Sequence, residues 1–389
     1  MKNLSVVFSV LTVSSVAFYA CSKSASQDDL KSAASSFSVR SSAFNDNPAG
    51  AVYVLNNATA GNKVLVYNRS SDGHLTYSNS FATGGNGTGS GLGSQGAVIL
   101  HHLAGSDFVI GVNAGSNEVS VFRAEGTSLT WIDKVSSHGT LPISVTAFNE
   151  LLYVLNAGGT GNISGFRISS EGHLDYISNS SKALSTGSAG PAEISFNKAG
   201  SQIAVTEKNT NSISTYTVYE NGLTSPASVH ASVGTTPFGF AFDNKDHLLV
   251  TDAFGGAAGQ SAVTSYNLNS TGNLSLIDGP EATHQTSACW LAVTNNGKYC
   301  YAANTGSGTI SGYRIDTEGN LALLNGNGIT ATTGKTPGDI TLSINSKYVY
   351  NLNSTSHSIT LFSVHEDGSL DSIGTVDGLP EGAVGIAAK

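Results

Sequence analysis

A pattern of about 50 residues recurs seven times along the 389-residue chain. Each copy contains a strand that ends in a polar residue, a short loop, a second strand with one aromatic residue, and a turn followed by leucine. The spacing between copies, 43 to 57 residues, is close to the ~40–50 residues of one four-stranded propeller blade. The polar residues that end these strands are Asn56, Asn113, Asn156, Glu207, Asp252, Asn304 and Asn351.

A further strand, opened by proline or a small residue, precedes every copy except the first. The missing strand is found at the C-terminus, in residues 380–387. A terminal strand that completes the first blade closes a ring of sheets and removes their exposed edges. The pattern therefore predicts an all-β fold over residues 51–389, a seven-bladed β-propeller with four antiparallel strands per blade. The C-terminal strand is expected to complete blade 1 and close the ring.

Composition agrees with many short strands and excludes some classes of partner. Only 12% of the residues are charged, glycine occurs 45 times and methionine once, so long helices are not expected. The formal net charge of −9 offers no positive surface for nucleic acid or for an anionic lipid surface. We expect a monomer that binds no nucleic acid.

The first 21 residues predict export. Lys2 precedes an apolar stretch, residues 4–19, which is shorter than the ~20 residues that a membrane span needs. The sequence ending at Ala20-Cys21 is similar to a bacterial lipoprotein cleavage site, in which Cys21 receives the lipid; the alternative is ordinary signal cleavage near Ala20. Residues 22–50 are rich in Ser, Ala and Asp and predict a flexible tether. We expect an extracytoplasmic domain, held at a bacterial membrane only through the lipid.

Export raises the question of a disulfide between Cys289 and Cys300. If the two lie on one hairpin that turns at residues 295–297, Cys289 faces a residue near Asn304 rather than Cys300. The offset of about four residues, roughly 13 Å along a strand, exceeds the ~7 Å Cα separation that a disulfide allows. We expect two free, buried thiols.

Polar residues are expected to gather at one mouth of the central channel, where inner strands begin and second strands end. Four of them are carboxylates: Glu193, Glu207, Asp252 and Asp339. Such a group, short of balancing cations, raises pKa values and can supply a general base or hold a cation such as Ca²⁺, although no cofactor is required. The candidate ligand contacts at this mouth are Asp252, Asp339, Asn156, Asn304, Phe238 and Trp290.

Each candidate also has a structural interpretation. Asn and Asp at strand ends cap the following turn through hydrogen bonds to the backbone, and Trp290 has a core role as its alternative. Glu193 and Glu207 are harder to explain in this way, because acids at the ends of adjacent strands repel unless they share a proton, ion or ligand. His284 lies in a loop that leads into an inner strand and is either a site residue or a solvated loop histidine. The sequence has no zinc-ligand spacing, serine-nucleophile elbow or phosphate loop.

Residues 191–200, followed by Val205-Thr206-Glu207, resemble the lactonase-type seven-bladed propeller family. That family includes 6-phosphogluconolactonases and fungal carboxymuconate cyclases, and residues 237–351 are similar to its exported bacterial members. Active members carry an Arg-His pair just after the proline of one inner strand and a Glu at the end of the next. Glu207 matches the acid, but Ala192 and Glu193 stand where the basic pair would be. Because a phosphorylated substrate needs cationic groups, the resemblance favours a neutral substrate here.

Two functions remain as hypotheses. The first is an exported lactonase-like enzyme that hydrolyses a neutral cyclic ester or sugar lactone. In it, Glu207 or Glu193 activates water, and His284 or backbone amides stabilise the oxyanion. The second is a non-catalytic propeller that binds a glycan, peptide or protein on the same face. Turnover of a lactone that is lost in Glu207→Gln would support the enzyme.

Overall fold

The computed structural model describes residues 49–389, and its strands form seven separate sheets. The predicted signal segment, most of the predicted tether and Cys21 lie outside the described residues. In each sheet four strands pair antiparallel in a simple order, and blades 3 and 6 split the outermost strand into two short pieces. The predicted all-β, seven-bladed β-propeller is confirmed. No helix within the described part has the length and apolar character of a membrane span.

The strands follow one another blade by blade. Blade 1 has β1 (Gly50–Leu55), β2 (Lys63–Arg69) and β3 (Leu75–Ala82). Blade 2 has β4 (Val98–Leu103), β5 (Ser106–Asn113), β6 (Glu118–Glu125) and β7 (Ser128–Ser136). Blade 3 has β8 (Pro142–Phe148), β9 (Leu151–Asn156), β10 (Asn162–Ile168), β11 (Leu174–Tyr176) and β12 (Lys182–Ala183). Blade 4 has β13 (Pro191–Phe196), β14 (Gln202–Glu207), β15 (Ser212–Thr217) and β16 (Ser228–Ala231).

The second half of the ring repeats this arrangement. Blade 5 has β17 (Pro237–Phe242), β18 (His247–Asp252), β19 (Ala262–Leu268) and β20 (Leu274–Ala282). Blade 6 has β21 (Ala288–Val293), β22 (Tyr299–Asn304), β23 (Thr309–Ile315), β24 (Leu321–Leu323) and β25 (Ala331–Thr332). Blade 7 has β26 (Pro337–Leu342), β27 (Tyr348–Asn353), β28 (Ser358–Val364) and β29 (Leu370–Asp377). The last strand, β30 (Val384–Ala388), returns to blade 1.

The innermost strands of the blades surround the central channel. In the order β4, β8, β13, β17, β21, β26 and β30, each contacts the next, and β30 contacts β4. The second and third strands are buried on both faces because each sheet packs between two neighbours; all six residues of β14 are buried. The fourth strands are largely exposed, as in β3. This explains the near-continuous apolar runs of the middle strands.

The C-terminal strand closes the ring as predicted. β30 pairs antiparallel with β1 and places Ala387 opposite Tyr53. The final residue, Lys389, is held at two points: Arg69 Nε donates to its carbonyl oxygen at 2.7 Å, and its Nζ pairs with the Asp107 carboxylate. Because Asp107 belongs to blade 2, the end of the chain also links blades 1 and 2. The strand begins at Val384, later than predicted, because residues 380–383 form a turn.

Tyrosines on four of the second strands link each of those blades to the next one. Their hydroxyls donate to turn carbonyls of the neighbouring blade at 2.7–3.1 Å, in the pairs Tyr53–Gly126, Tyr153–Gly222, Tyr301–Gly368 and Tyr350–Gly73. Gly73 has a φ of +89°, and a Cβ there would lie 2.4 Å from the Tyr348 ring. The repeated turn glycine is therefore needed both for its backbone conformation and for the space it leaves.

Cys289 and Cys300 are free and buried, as predicted. In the pairing of β21 with β22, Cys300 faces Val293 and Asn304 faces Ala288, so the two thiols lie at different levels of the sheet. Burial raises the pKa of Cys289 to about 11, which disfavours the reactive thiolate.

Candidate active site

The polar residues that end the second strands do not converge on the channel. In six blades this side chain instead hydrogen-bonds to a hydroxyl on the third strand of its own blade, further from the channel axis. The expected ring at the mouth is therefore wrong, because the inner strand separates each of these residues from the channel. The pairs are Asn113–Ser120, Asn156–Ser164, Glu207–Ser214, Asp252–Thr264, Asn304–Ser311 and Asn353–Thr360.

Asn56 follows the structural interpretation. In blade 1, Asn56 Oδ1 accepts from the amide of Lys63 at 2.8 Å, across its own turn. In blade 7 the residue at the strand end is Asn353 rather than Asn351, because Pro337 pairs with Asn353. The two asparagines lie two residues apart on one face of β27, so the sequence pattern fits either position.

Glu207 is fully buried between the end of blade 3 and blade 4. Its carboxylate accepts from the backbone amide of Ser185 at 3.1 Å, from the Ser185 hydroxyl and from the hydroxyls of Thr210 and Ser214. The expected meeting of Glu207 with Glu193 does not occur. A bulge in β13 pairs Pro191 with Glu207 but Glu193 with Thr206. The Glu207 carboxylate therefore lies between blades 3 and 4, whereas the Glu193 carboxylate does not.

Asp252 is also fully buried, in blade 5. Its Oδ2 accepts from the Thr264 hydroxyl, and its Oδ1 has no hydrogen-bond partner among residues 49–389. The preceding loop passes close by: a Cβ on Gly234 would lie 2.0 Å from the Asp252 Cγ. Burial raises the pKa of Asp252 to about 7. The side chain is therefore enclosed by its own blade and does not reach the channel.

Two of the four predicted carboxylates do meet in the channel. Glu193 and Asp339 line a cavity of about 340 Å³ between the inner strands, together with Thr146, Ser195 and Thr341. No Lys, Arg or His side chain of residues 49–389 lines this channel cavity. Glu193 and Asp339 are buried at its inner end, whereas Ser195 and Thr341 are half-buried. The cavity therefore opens along the strands, away from the two acids.

Both channel acids are shifted towards the neutral form. Burial raises the pKa of Glu193 well above its usual range; the hydrogen bond from the Phe240 amide, at 2.6 Å, opposes this shift, and the Asp339 charge adds to it. Burial raises the pKa of Asp339 to about 7, against the effect of backbone hydrogen bonds from Gly96, Ile340 and Ile386. Glu193 therefore keeps its proton, whereas Asp339 titrates near neutral pH. Such a pair is suited to acid–base chemistry.

Polar side chains line the channel because the inner strand of each blade has one edge that pairs with no other strand of residues 49–389. Each inner strand has backbone amides that face the channel and have no partner strand. Side chains of neighbouring residues accept from these amides, since a buried amide needs a partner. The acceptors are Ser144 for Ile194, Glu193 for Phe240, Gln95 for Leu291 and Asp339 for Ile340.

Residues 91–96, the plug segment, cross the predicted mouth and close it. Ser94 Oγ donates to the Ile143 carbonyl of blade 3 at 2.8 Å. The Gln95 side chain pairs with both backbone groups of Leu291 in blade 6, at 2.7 and 2.9 Å. The backbone amide of Gln95 donates to the Ala192 carbonyl of blade 4 at 3.1 Å. Sequence analysis missed this segment, although the 57-residue spacing between the first two copies is the longest of the six.

Phe238 and Trp290 support the plug segment rather than the channel cavity. Their ring centroids are 5.2 Å apart, and Trp290 Nε1 donates to the Ser94 carbonyl at 3.0 Å. Lys208 also reaches this mouth, which sequence analysis did not foresee: its Nζ lies 4.5 Å from the centre of the Phe238 ring and donates to the Gly93 carbonyl at 2.6 Å. Burial lowers the pKa of Lys208 to about 8.

Neither His284 nor a cluster of the four predicted carboxylates is found in the channel cavity. His284 is exposed in the loop between β20 and β21 and is not among the residues that line the cavity. The four carboxylates proposed to hold Ca²⁺ are dispersed, with only Glu193 and Asp339 in one cavity. Residues 49–389 bring together no group of three or more His, Cys, Asp or Glu side chains able to hold a metal ion.

Solved structures of similar fold include lactonases. A protein of Lactobacillus plantarum superposes with a TM-score of 0.68 at 15% identity, covering 86% of this chain and 98% of that one. For a putative 6-phosphogluconolactonase of Bacteroides fragilis the TM-score is 0.64 at 17% identity, with coverage of 86% and 97%. For a periplasmic gluconolactonase of Pseudomonas aeruginosa it is 0.64 at 15% identity, with coverage of 86% and 98%.

Sequence comparison assigns the family. A comparison with curated proteins gives no match. The sequence profile of the family described as "Lactonase, 7-bladed beta-propeller" matches residues 160–277 and 259–383, which together span more than half of the chain. With the seven-bladed fold, these matches show that the chain belongs to the lactonase family of seven-bladed β-propellers.

Proposed function

We propose that this protein hydrolyses a neutral lactone in the channel cavity. The observation that carries the proposal is that Glu193 and Asp339, both with raised pKa values, line one cavity of about 340 Å³. That volume lies in the range of small-molecule sites. Family membership and the lactonases among the structural neighbours favour hydrolysis over a non-catalytic propeller that binds a glycan, peptide or protein.

Asp339 and Glu193 have different roles in the proposed reaction. In its ionised form Asp339 accepts a proton from a water molecule as the water oxygen attacks the lactone carbonyl carbon. Neutral Glu193 donates a hydrogen bond to the carbonyl oxygen, which becomes negatively charged in the tetrahedral intermediate. The ring C–O bond then breaks, and the departing alkoxide takes the proton from Asp339. The product is the open-chain hydroxy acid, and both side chains return to their starting states.

The charge of the cavity favours a neutral substrate. A phosphorylated or carboxylated lactone requires Arg or Lys to balance its charge, and the lining contains neither within the described residues. Ala192 and Glu193 occupy the positions where the family resemblance expects Arg and His. Both observations support a neutral cyclic ester or sugar lactone.

We also propose an extracytoplasmic location for a monomeric protein. The export signal predicted in residues 1–21 supports this location, and a periplasmic gluconolactonase is among the proteins of similar fold. Attachment through Cys21 remains part of the proposal. Globomycin treatment of expressing bacteria, with mass spectrometry of the mature N-terminus, would test it: accumulation of the uncleaved precursor supports lipidation, and unaffected processing contradicts it.

The enzymatic proposal is tested with D-glucono-δ-lactone, γ-butyrolactone and a phosphorylated gluconolactone. The full-length protein is expected to hydrolyse at least one neutral lactone faster than the phosphorylated one. Loss of a general base costs roughly 10²–10⁴ in rate, so Asp339→Asn should lower kcat by at least about 100-fold, and Glu193→Gln should lower it as well.

Glu171→Gln, a change at an exposed turn, is the control and should leave kcat unchanged. Melting temperatures of all variants show whether they fold, and Glu193→Gln carries the test if Asp339→Asn does not fold. Unchanged turnover in both channel variants, or preference for the phosphorylated lactone, would contradict the proposal.

A further inference from the structure

A second cavity lies on the opposite side of Asp339 from the channel cavity, beside the plug segment. It measures about 210 Å³, and its larger lining side chains are Leu92, Trp290, Leu352, Val384 and Asp339. Four of these five are apolar, and the remaining lining is made of glycine, alanine and serine. We call it the upper cavity. Gly91, Gly93 and Ser354 at its rim are exposed, so it opens to solvent on the face of the propeller where the plug segment closes the channel.

The apolar wall is built from side chains that remain partly exposed. Leu92, Trp290 and Val384 are only half-buried, although strands and the plug segment surround them. The Trp290 Nε1 is already occupied by the Ser94 carbonyl, so this tryptophan presents its ring rather than a donor. A concave apolar surface of this kind gains free energy when an apolar molecule covers it.

Asp339 adds a single polar feature at the inner end of this wall. A carboxylate has about four acceptor positions, and three of them are used by the amides of Gly96, Ile340 and Ile386. One position is left for a hydrogen bond from a ligand. No Lys, Arg or His of the described chain lines the upper cavity, and Lys208 Nζ, at its rim, is bonded to the Gly93 carbonyl rather than to Asp339. A ligand carboxylate placed next to Asp339 would therefore meet a like charge.

We propose that the upper cavity is a binding site for a small uncharged molecule with an apolar body and one hydroxyl group. The body packs against Leu92, Trp290 and Val384, and the hydroxyl donates to Asp339. A short aliphatic alcohol represents this class. The upper cavity shares Asp339 with the proposed hydrolytic site, but it is lined otherwise by different residues. Binding is measured without turnover, so failure of one proposal is distinguishable from failure of the other.

The fluorescence emission of Trp290 reports binding in the upper cavity. The chain has two tryptophans, and Trp131→Phe removes the other one, which is half-exposed on blade 2. In that variant, hexan-1-ol should change the Trp290 emission in a saturable way. One methylene contributes ~0.8 kcal/mol, so pentan-1-ol should bind roughly fourfold more weakly. Hexanoate should bind at least about tenfold more weakly than hexan-1-ol because of its charge.

Two leucine variants in the Trp131→Phe protein separate a specific site from a general effect of alcohol. Leu92→Ala removes part of the cavity wall and should weaken hexan-1-ol binding by about tenfold. Leu276→Ala changes a half-exposed leucine on the outer strand of blade 5, outside this cavity, and should alter binding less than twofold. The proposal is overturned by a non-saturable response, by equal effects of the two variants, or by hexanoate or hexylamine binding as tightly as hexan-1-ol.

Discussion

At the scale of single residues, burial and hydrogen-bond partners separate four acids that look alike in the sequence. Glu207 accepts from four donors in the wall between two blades, and Asp252 is enclosed within blade 5. Glu193 and Asp339 alone among them face the channel cavity. The distinction follows from the strand that carries each residue: an inner strand reaches the channel, and a second strand does not.

Glu207→Gln distinguishes a structural from a catalytic role for this acid. The amide group of glutamine would face hydroxyl and N–H donors and lose at least one hydrogen bond, so the free energy of unfolding should fall by about 1–3 kcal/mol. Urea denaturation measures this change, and lactone turnover of the folded variant should stay within twofold of the original. A fall in kcat of about 100-fold in a protein of unchanged stability would contradict the structural role.

Asp252→Asn should change how stability depends on pH. The folded state keeps the Asp252 proton up to about pH 7, whereas the unfolded chain loses it near the usual pKa of 3.8. Stability is therefore lost as pH rises from about 4 to 7. Asparagine removes this loss and is already the residue at the equivalent position of five other blades. The variant should be more stable by on the order of 2–4 kcal/mol at pH 8 and nearly unchanged at pH 4.

Denaturant titrations of both proteins at the two pH values provide the measurement for Asp252. A variant less stable than the original at pH 8 would mean that the carboxylate is needed in its charged form. That result would return Asp252 to the candidates for ligand binding.

At the scale of structural elements, the plug segment has the largest consequence for function. Its hydrogen bonds to blades 3, 4 and 6 close one mouth of the channel, so a substrate reaches Glu193 and Asp339 from the opposite face. Gly239 is the small residue that allows the plug to sit this deeply, because a Cβ there would lie 2.3 Å from Gln95 Oε1.

Gln95→Ala should loosen the plug segment and expose Cys289, which precedes Trp290 in β21 and lies near Lys208, a residue bonded to the plug segment. The variant leaves the Leu291 amide and carbonyl without the Gln95 side chain, at a cost of about 1–3 kcal/mol. Labelling of Cys289 by a thiol reagent, followed by peptide mass spectrometry, should become at least about tenfold faster. Cys300, which is fully buried, is the internal control. Equal acceleration at both thiols would indicate global unfolding instead.

At the scale of the whole molecule, the ring depends on the pairing of β30 with β1. Without β30 the first blade has three strands, and the buried edge of β1 meets solvent. Lys389 adds its contacts to Arg69 and Asp107 at the junction of blades 1 and 2. The closure thus joins the two ends of the described chain.

Deletion of residues 384–389 should lower the melting temperature by at least about 10 °C, since several kcal/mol of packing are lost. Lys389→Ala is the matched control and should cost no more than about 1 kcal/mol, because its ion pair is partly exposed. Addition of a synthetic peptide of residues 380–389 should restore part of the loss. An unchanged melting temperature in the deleted protein would show that closure contributes little to stability.

The fold follows from the sequence because its determinants are periodic. Alternating strands, turn glycines and aromatic residues recur in every blade, so seven weak signals support one another, and the displaced strand at residues 380–387 reveals the closure. The pair of free thiols is predictable for the same reason, since the offset of Cys289 and Cys300 depends only on one hairpin. Local pattern determines which residues form strands and how neighbouring strands pair.

The candidate site depends on tertiary structure. Bulges in the inner strands, such as that between Pro191 and Glu193, decide which side chains face the channel, and they leave no mark in the repeat. The plug segment bonds to residues up to 243 positions away, which no local pattern encodes. Burial, which raises the pKa values of Glu193 and Asp339, arises only when all seven blades enclose the channel. Sequence alone therefore determined the ring and its closure, whereas the packing of distant blades selected the two acids that share a cavity.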